Sequence, residues 1–539
     1  MKSGILEYES NRSIQKGATT MMTITPADMK ALETRFMAES GVPGALLMEH
    51  AAQGVVAAIA RHVRRDAQVL FLCGPGNNGG DGYAAARLWV SQGGRALIAE
   101  VTADVRGDAK LNRDLARMAG VSFLDPGEPD RFPPFDLPHC DAIVDALFGT
   151  GLARAVDGFA AHLIHCANDL HEFRHVPVIA VDIPSGIDGT TGEVLGWEAI
   201  RATETVTFHR IKQGLLLGDA PDYTGRITVQ PILIPLGGDL DHEYDGLTIL
   251  EPADMASWRF ERRQTCHKGD FGRVVLFCGS RGMAGAAALC ANAAIRSGAG
   301  LTTILCRESL LPILQTLAPG AMCAVLPEKD GLLLPEAVGV ARRTLERADA
   351  ACIGCGLGQA ADVMPILQLF RQAECPVVWD ADALNLLART DSSLPLKEID
   401  VITPHPGEAA RLLDGDPEDI LDAPLAALDR LHDLCGCTVL LKGARTLITD
   451  GIDVYCNLHA SPALAKGGSG DVLAGIITAL LARRYPEYDE GRLDSLLAAA
   501  YGALIHGLAG VRAAKLRGES CTSPADLVEC IRLDAEGLG

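Results

Sequence analysis

No stretch of the 539 residues reads as an unbroken apolar run of the about 18 residues that a membrane span needs. A membrane partner is therefore not expected. The first residues, MKSGILEYESNRSIQKGATT, have no apolar core and do not read as a secretory signal. Residues 1–21 read instead as a disordered tail. Basic charge is scarce, with 48 Lys and Arg against 69 Asp and Glu and a net charge of −21. Nucleic acids and anionic membrane surfaces recruit basic patches, so neither is an expected partner. An anionic small ligand stays open, because backbone N–H groups at a helix start bind phosphate without a lysine. A second Cys-x-x-Cys is missing too. The sixteen cysteines sit singly in apolar stretches, as Cys73, Cys278 and Cys306 do, and Cys352-x-x-Cys355 runs into the turn GCGLG. These read as small hydrophobes of a reduced, cytoplasmic protein rather than as zinc or redox ligands.

Apolar residues make up 48% of the chain, enough for sizeable cores, and the length suits two large α/β units. Short apolar runs alternate with helical patterns. Strands are expected at 68–73, 95–101, 141–145, 177–182, 203–208 and 226–232, then at 273–278, 301–306, 349–354, 376–380, 400–403 and 437–442, with a hairpin over 446–449 and 452–456. That alternation predicts parallel sheets covered on both faces, with ligands at the carboxyl ends of the strands. The polar stretch PLGGDLDHEYDG over 235–246 reads as a linker. It divides the chain into 22–245 and 246–539, and the halves show no evident repeat.

In the first half, GPGNNGGDG over 74–82 joins a strand to a helix. Its glycines would allow close backbone approach, and the helix start favours an anion. It is neither a G-x-G-x-x-G turn nor a P-loop, since GK[ST] is absent. VDALFGTGL over 144–152 and VDIPSGID over 181–188 each place an aspartate at a strand end, and TVTFHRIKQG over 205–214 delivers a lysine there. A single aspartate in such a place is often only a helix cap.

In this order the four segments resemble the NAD(P)H-hydrate epimerase domain. The resemblance covers residues 25–235 and implies a Rossmann-like fold. It implies that Asn77, Asn78, Gly79, Gly80 and Asp81, with the loop Gly149, Thr150, Gly151, Leu152, Ala153, Arg154 and Ala155, hold the hydrated dinucleotide. Asn78, Asp145 and Ser185 would bind K⁺. Asp182 and Lys212 would be catalytic at the nicotinamide ring, Asp182 also touching substrate.

In the second half, AKGGSGDVLAG over 465–475 opens an apolar helix, where N–H groups form a cup for phosphate and Asp471 stands at its rim as a candidate base. LLKGART over 440–446, ITPHPGE over 402–408, WDADALN over 379–385 and CGSRGMAGA over 278–286 end other strands. Together these are similar to the ADP-dependent NAD(P)H-hydrate dehydratase domain, a ribokinase-like fold, over residues 250–535. The resemblance implies that Ala286, Gly356, His405 and Asp471 contact the hydrate. Lys442, Gly443, Ala444, Arg445, Thr446 and Gly470 would bind ADP, accompanied by Mg²⁺. Cys355 stands where that family usually has proline.

The expectation is thus an α/β protein of two three-layer αβα domains, cytoplasmic and homo-oligomeric. Its small-molecule substrates would be hydrated NADH or NADPH and ADP. One domain would epimerise the hydrate and the other dehydrate it. Two other readings stay open. One is a ribokinase-like kinase for a vitamin alcohol, fused to a nucleotide-sensing domain. The other makes the first half a non-catalytic binding module.

Overall fold

The computed structural model describes residues 21–124, 138–235, 246–257, 264–390, 394–484 and 493–533. The tail expected over 1–21, apart from Met21, and nearly all of the linker expected at 235–246 lie outside the described residues.

The chain divides into two compact units. One comprises residues 22–247 with Asp416–Ala427, the other 248–415 and 428–539 together with Met21. The uninterrupted second domain expected over 246–539 is therefore broken at Asp416–Ala427. That stretch is largely exposed, with Ile420 and Ala427 its buried apolar residues, and the helix Pro424–Cys435 runs across its C-terminal boundary.

The first unit is built on seven strands: β1 (Gln68–Cys73), β2 (Arg95–Glu100), β3 (Ser122–Phe123), β4 (Ala142–Ala146), β5 (Val178–Val181), β6 (Glu204–Phe208) and β7 (Arg226–Gln230). They lie in the order β3-β2-β1-β4-β5-β6-β7, every neighbouring pair parallel. Val69 to Cys73 are buried on both faces, as a run without alternation requires. The strand order reverses between β1 and β4. A crevice forms at the carboxyl ends of strands where order reverses in this way. The turn 74–76 leaves β1 there, and the loop 147–155 leaves β4 there.

The second unit has a ten-stranded sheet. Its strands are β8 (Thr248–Leu250), β9 (Arg273–Phe277), β10 (Leu301–Arg307), β11 (Met322–Leu326), β14 (Ala350–Ile353), β15 (Val377–Trp379), β16 (Val401–Ile402), β17 (Thr438–Leu441), β18 (Thr446–Thr449) and β19 (Val454–Asn457). The order is β11-β10-β9-β14-β15-β16-β17-β18-β19-β8, with β18 antiparallel to both its neighbours. A separate ribbon pairs β12 (Glu328–Lys329) with β13 (Leu332–Leu333). Five strands of the two units fall outside the sequence expectation: β3, β8, β11 and the two of the ribbon, β12 and β13. All are short edge or surface pieces, where the apolar signal of a central strand is weak.

The helices Ala284–Arg296 and Ser469–Ala482 belong to one buried cluster of the second unit. Against the expectation that no segment resembles a membrane span, the helix Ser495–Arg517 has the length and apolar composition of one. Most of its apolar window is buried in this core, which is the reason for its composition.

Candidate functional site

In the first unit the helix Asn77–Ser91 starts directly after the turn 74–76. Most of the glycines there serve packing against protein, contrary to the expectation that they clear space for a ligand. A Cβ on Gly74 would lie 1.8 Å from the Leu147 carbonyl oxygen, and one on Gly79 2.0 Å from that of Gly74. Gly80 and Gly82 abut Met48 and Ala146 in the same way, and only Gly76 of this set faces open space. The glycines thus draw the β1 turn, the helix start and the β4 loop together. Gly149 lies against the Asn78 side chain, which joins the loop Gly149–Ala155 to that helix start. Thr150 and Leu152 are partly exposed, and Gly151, Ala153, Arg154 and Ala155 are exposed.

Asp145 is the penultimate residue of β4 and is fully buried. Its carboxylate accepts from Ser185 Oγ (2.6 Å), Ser185 N (2.8 Å) and Leu147 N (3.3 Å). Burial pushes its pKa up to about 6, even though the Ser185 bonds pull the other way. Asn78 is also buried, and its Nδ2 has no hydrogen-bond partner. Asp145 and Ser185 are therefore directly joined, while Asn78 stands at the neighbouring helix start.

One strand further along, Lys212 Nζ lies 2.6 Å from Asp182 Oδ1 and donates to the Phe208 carbonyl at 2.8 Å. Thr207 Oγ1 and Phe208 N also donate to Asp182 Oδ1. Asp182 has φ +64°, a left-handed conformation that a non-glycine residue holds only where its surroundings fix it. Asp81 and Glu33 belong to the same electrostatic group. Burial, then Asp182 and Glu33, raise the Asp81 carboxyl well above its usual range against the pull of Lys212. Burial likewise raises Glu33, with Lys212 opposing and Asp182 adding to it. Sequence reasoning missed Glu33. The available signal was its place in the helix Pro26–Ser40, beside the buried residues Met29, Leu32 and Phe36.

In the second unit, Asp471 lies in the first turn of the helix Ser469–Ala482, after Gly468 at φ +101°. Burial, reinforced by Asp380, raises its pKa to about 7. Asp380, at the end of β15, is buried and accepts from Lys442 Nζ (2.9 Å) and Thr403 Oγ1 (2.8 Å). Burial alone would raise Asp380, but Lys442 and the bonds from Thr403 and Cys355 together outweigh it and hold the carboxyl below its usual range. Lys442 also reaches Glu408 Oε2 at 3.7 Å. Burial works against its ammonium, yet Asp380 and Glu408 carry the pKa upward. The lysine expected only to meet ADP is thus the hub of a carboxylate group. Asp380 and Glu408 were left out of the expected site, because a sequence shows strand-end carboxylates without showing which one a lysine reaches.

The remaining candidates take definite places. Gly443 and Ala444 are exposed at the turn between β17 and β18, and Thr446 opens β18. Arg445 turns back to donate to the Leu458 carbonyl (3.2 Å). A Cβ on Gly470 would lie 3.4 Å from Lys442 Nζ, which sets that backbone against the hub. Gly356, at φ +57°, packs against Ala286, so these two meet. His405 caps the helix Pro406–Leu413: its Nδ1 accepts from Gly407 N (3.0 Å), and Nε2 lies 3.4 Å from Glu408 Oε1. Beneath Asp471, the buried His506 Nε2 is 3.1 Å from Ser469 Oγ, and burial lowers its pKa to about 4. A neutral imidazole therefore braces the start of the helix.

The family model described as NAD(P)H-hydrate dehydratase matches residues 274–533, and that of the YjeF-related protein N-terminus matches residues 44–214. The bifunctional NAD(P)H-hydrate repair enzyme Nnr of Moorella thermoacetica is 36% identical over 94% of this chain and 96% of its own. That of Escherichia coli strain K12 is 38% identical over 82% and 79% respectively. A solved structure of the ADP/ATP-dependent NAD(P)H-hydrate dehydratase from Bacillus subtilis, co-crystallised with ATP/Mg²⁺, is 26% identical over 52% of this chain and 95% of its own, with a TM-score of 0.45. With relatives of this identity matched over more than three quarters of their length, the chain belongs to the family of bifunctional NAD(P)H-hydrate repair enzymes.

Proposed function

We propose that residues 22–245 interconvert the R and S hydrates of NADH and NADPH at ring carbon 6, and that residues 246–539 dehydrate the S form at the expense of ADP. One observation carries the reading: a single chain holds two separate acid–base centres, Asp182–Lys212 and Asp380–Lys442–Asp471, each at strand ends of its own sheet. The proposal includes a homo-oligomeric, cytoplasmic enzyme.

In the first centre Lys212 fixes Asp182 beside the ring. A proton delivered there lets the C6 hydroxyl leave as water with help from the ring nitrogen's lone pair. Water then adds to the opposite face and returns the proton. Asn77 to Asp81 and the loop 149–155 hold the dinucleotide. The K⁺ site fits Asp145, Ser185 and Asn78. Asp145 is a buried carboxylate whose hydrogen bonds come from Ser185 and Leu147, and the Asn78 side-chain oxygen would be the third oxygen donor. Oxygen donors of this kind suit a hard cation.

In the second centre Asp471 takes the proton of the C6 hydroxyl as that oxygen attacks the terminal phosphorus of ADP, and AMP leaves. The C6–O bond then breaks with the phosphate as leaving group, the ring loses its C5 proton, and the dihydropyridine is restored. A carboxyl with a pKa of about 7 suits a base working near neutrality. Gly470 and its helix start face the phosphate, the turn Lys442–Thr446 borders the nucleotide, and Ala286, Gly356 and His405 border the hydrate. Mg²⁺ would offset the phosphate charge, and the ligand oxygens of Asp380 and Asp471 are close enough together to hold it.

The test is incubation of the full chain with the mixed hydrates, with and without ADP, following the absorbance of restored dihydropyridine. Both epimers are expected to convert fully with ADP and not at all without it. A stable phosphorylated product would favour the kinase reading instead.

A further inference from the structure

Four cysteines meet inside the second unit. Cys278 follows β9, Cys290 lies in the helix Ala284–Arg296, Cys352 is in β14, and Cys355 is in the turn after it. All four are buried free thiols, and their Sγ atoms all lie within 4.8 Å of one another. The fold imposes this meeting. β9 and β14 are parallel neighbours with Leu276 beside Cys352, so Cys278, two residues on, keeps to the same face. The helix over that face is mostly small alanines, and its cysteine falls at the cluster.

Four sulfurs from three elements form the ligand set that selects a thiophilic cation with tetrahedral preference. A zinc–sulfur bond of about 2.3 Å sets tetrahedral sulfurs about 3.8 Å apart. With every separation within 4.8 Å, binding asks no pair to close by more than roughly 1 Å, a distance that side-chain rotation covers. Cys352 and Cys355 supply the two-residue spacing of a metal knuckle, and Gly354 and Gly356, both at positive φ, let that turn reverse. The site differs in kind from the Asp380–Asp471 oxygens, which suit Mg²⁺.

We propose that Cys278, Cys290, Cys352 and Cys355 bind one thiophilic cation of the zinc class, a structural centre that fixes the turn carrying Gly356. Each thiol gives up its proton to solvent as its sulfur bonds the ion, so four protons leave and the centre carries a net charge of −2. Cys355 Sγ donates to Asp380 Oδ2 at 3.6 Å, a bond given up with the proton, while Lys442 stays bonded to Asp380. This inference does not depend on the proposed reaction.

The test uses the reduced full chain, loaded with Zn²⁺ and passed over a weak chelator, with metal measured by mass spectrometry. One zinc per chain is expected. Loading with Co²⁺ instead should give strong thiolate-to-cobalt charge transfer and the d–d bands of tetrahedral sulfur coordination. Cys290→Ala keeps the position small and apolar and should weaken binding by roughly a hundredfold or more, since even second-layer partners are worth 10–100-fold. Cys521→Ser, at an exposed cysteine, should keep the metal. Should Cys290→Ala fail to fold, the cobalt spectrum of the unaltered chain decides. The proposal is overturned by a folded chain that retains no zinc and shows no sulfur–cobalt bands, by full retention in folded Cys290→Ala, or by a disulfide within the four.

Discussion

The two units solve one problem differently. In the first, the lysine closes directly on the working carboxylate, Lys212 on Asp182 at 2.6 Å. In the second, Lys442 closes on Asp380 at 2.9 Å and leaves Asp471 to face burial and a second carboxylate, with a pKa of about 7. Where the ammonium lands decides which acid stays ionised and which is poised to move a proton. A direct pair suits a group that must hold a ring and pass a proton back and forth. An uncompensated acid suits a one-way base.

The sharpest test of the difference is Asp471→Asn. The size is kept and the N–H groups of the helix start remain, so ADP binding should persist. Dehydration should fall by roughly a hundredfold or more, the scale of a lost general base. Epimerisation should be untouched, and the variant should melt no lower than the parent, because a poorly solvated carboxylate has been neutralised. Near-normal dehydration by the folded variant would remove Asp471 from its role.

The converse is Lys212→Met. Epimerisation should drop by tens to hundreds of times, again on the scale of lost acid–base catalysis. Dehydration of purified S hydrate should be unaltered, and a parallel loss of both activities would break the comparison. Lys442→Met should instead act on stability, since Asp380 would be left buried without its cation, at a cost of about 3–5 kcal/mol read by denaturant melts. The sign with pH follows. Burial raises Asp380 but Lys442 and the bonds from Thr403 and Cys355 together outweigh it, so the folded pKa is depressed. The pair's contribution is full above the unfolded value of about 3.9 and fades as pH falls through the lower folded value. An equal loss of stability at pH 3 and pH 7 would contradict it.

A pH profile separates the centres further. Asp471 must be ionised to act, so dehydration should fall about tenfold per pH unit below about 7. Asp380→Asn removes the neighbouring charge that raises Asp471 and should move that limb to lower pH. An unmoved limb in a folded variant would show that Asp380 does not set it. The smallest expected effect is on the cation: replacing K⁺ by Na⁺ or Li⁺ should slow epimerisation a few-fold and leave dehydration of S hydrate unchanged. Equal epimerisation rates, with potassium verified absent, would exclude the site at Asp145.

Much of the fold was legible beforehand. The central strands announced themselves as unbroken apolar runs, and the hairpin of β18 and β19 stood close to its expected place. The edges β3 and β11 did not, because they are partly exposed and their sequence carries less of the signal, and β8, though buried, is only three residues long. Site residues showed the same division. Asp145, Ser185, Asp182 and Lys212 follow strands, so their side of the sheet could be read from the chain. Glu33 lies in a helix far away in sequence, and Asp380 and Glu408 looked like any strand-end acids.

By itself the sequence determined the α/β class, the places where motifs leave the strands and the family those motifs resemble, because periodicity and turn chemistry are local. Only the tertiary structure decided which groups meet. It placed Lys442 on Asp380 and so left Asp471 poised. It turned the glycines at 74 and 79 from ligand clearance into close packing against Leu147 and Gly74. It gathered Cys278, Cys290, Cys352 and Cys355, which look like isolated small hydrophobes along the chain. Burial and distance act between residues that the chain order keeps apart, and they fix charge state and ligand sets only when the sheet brings those residues together.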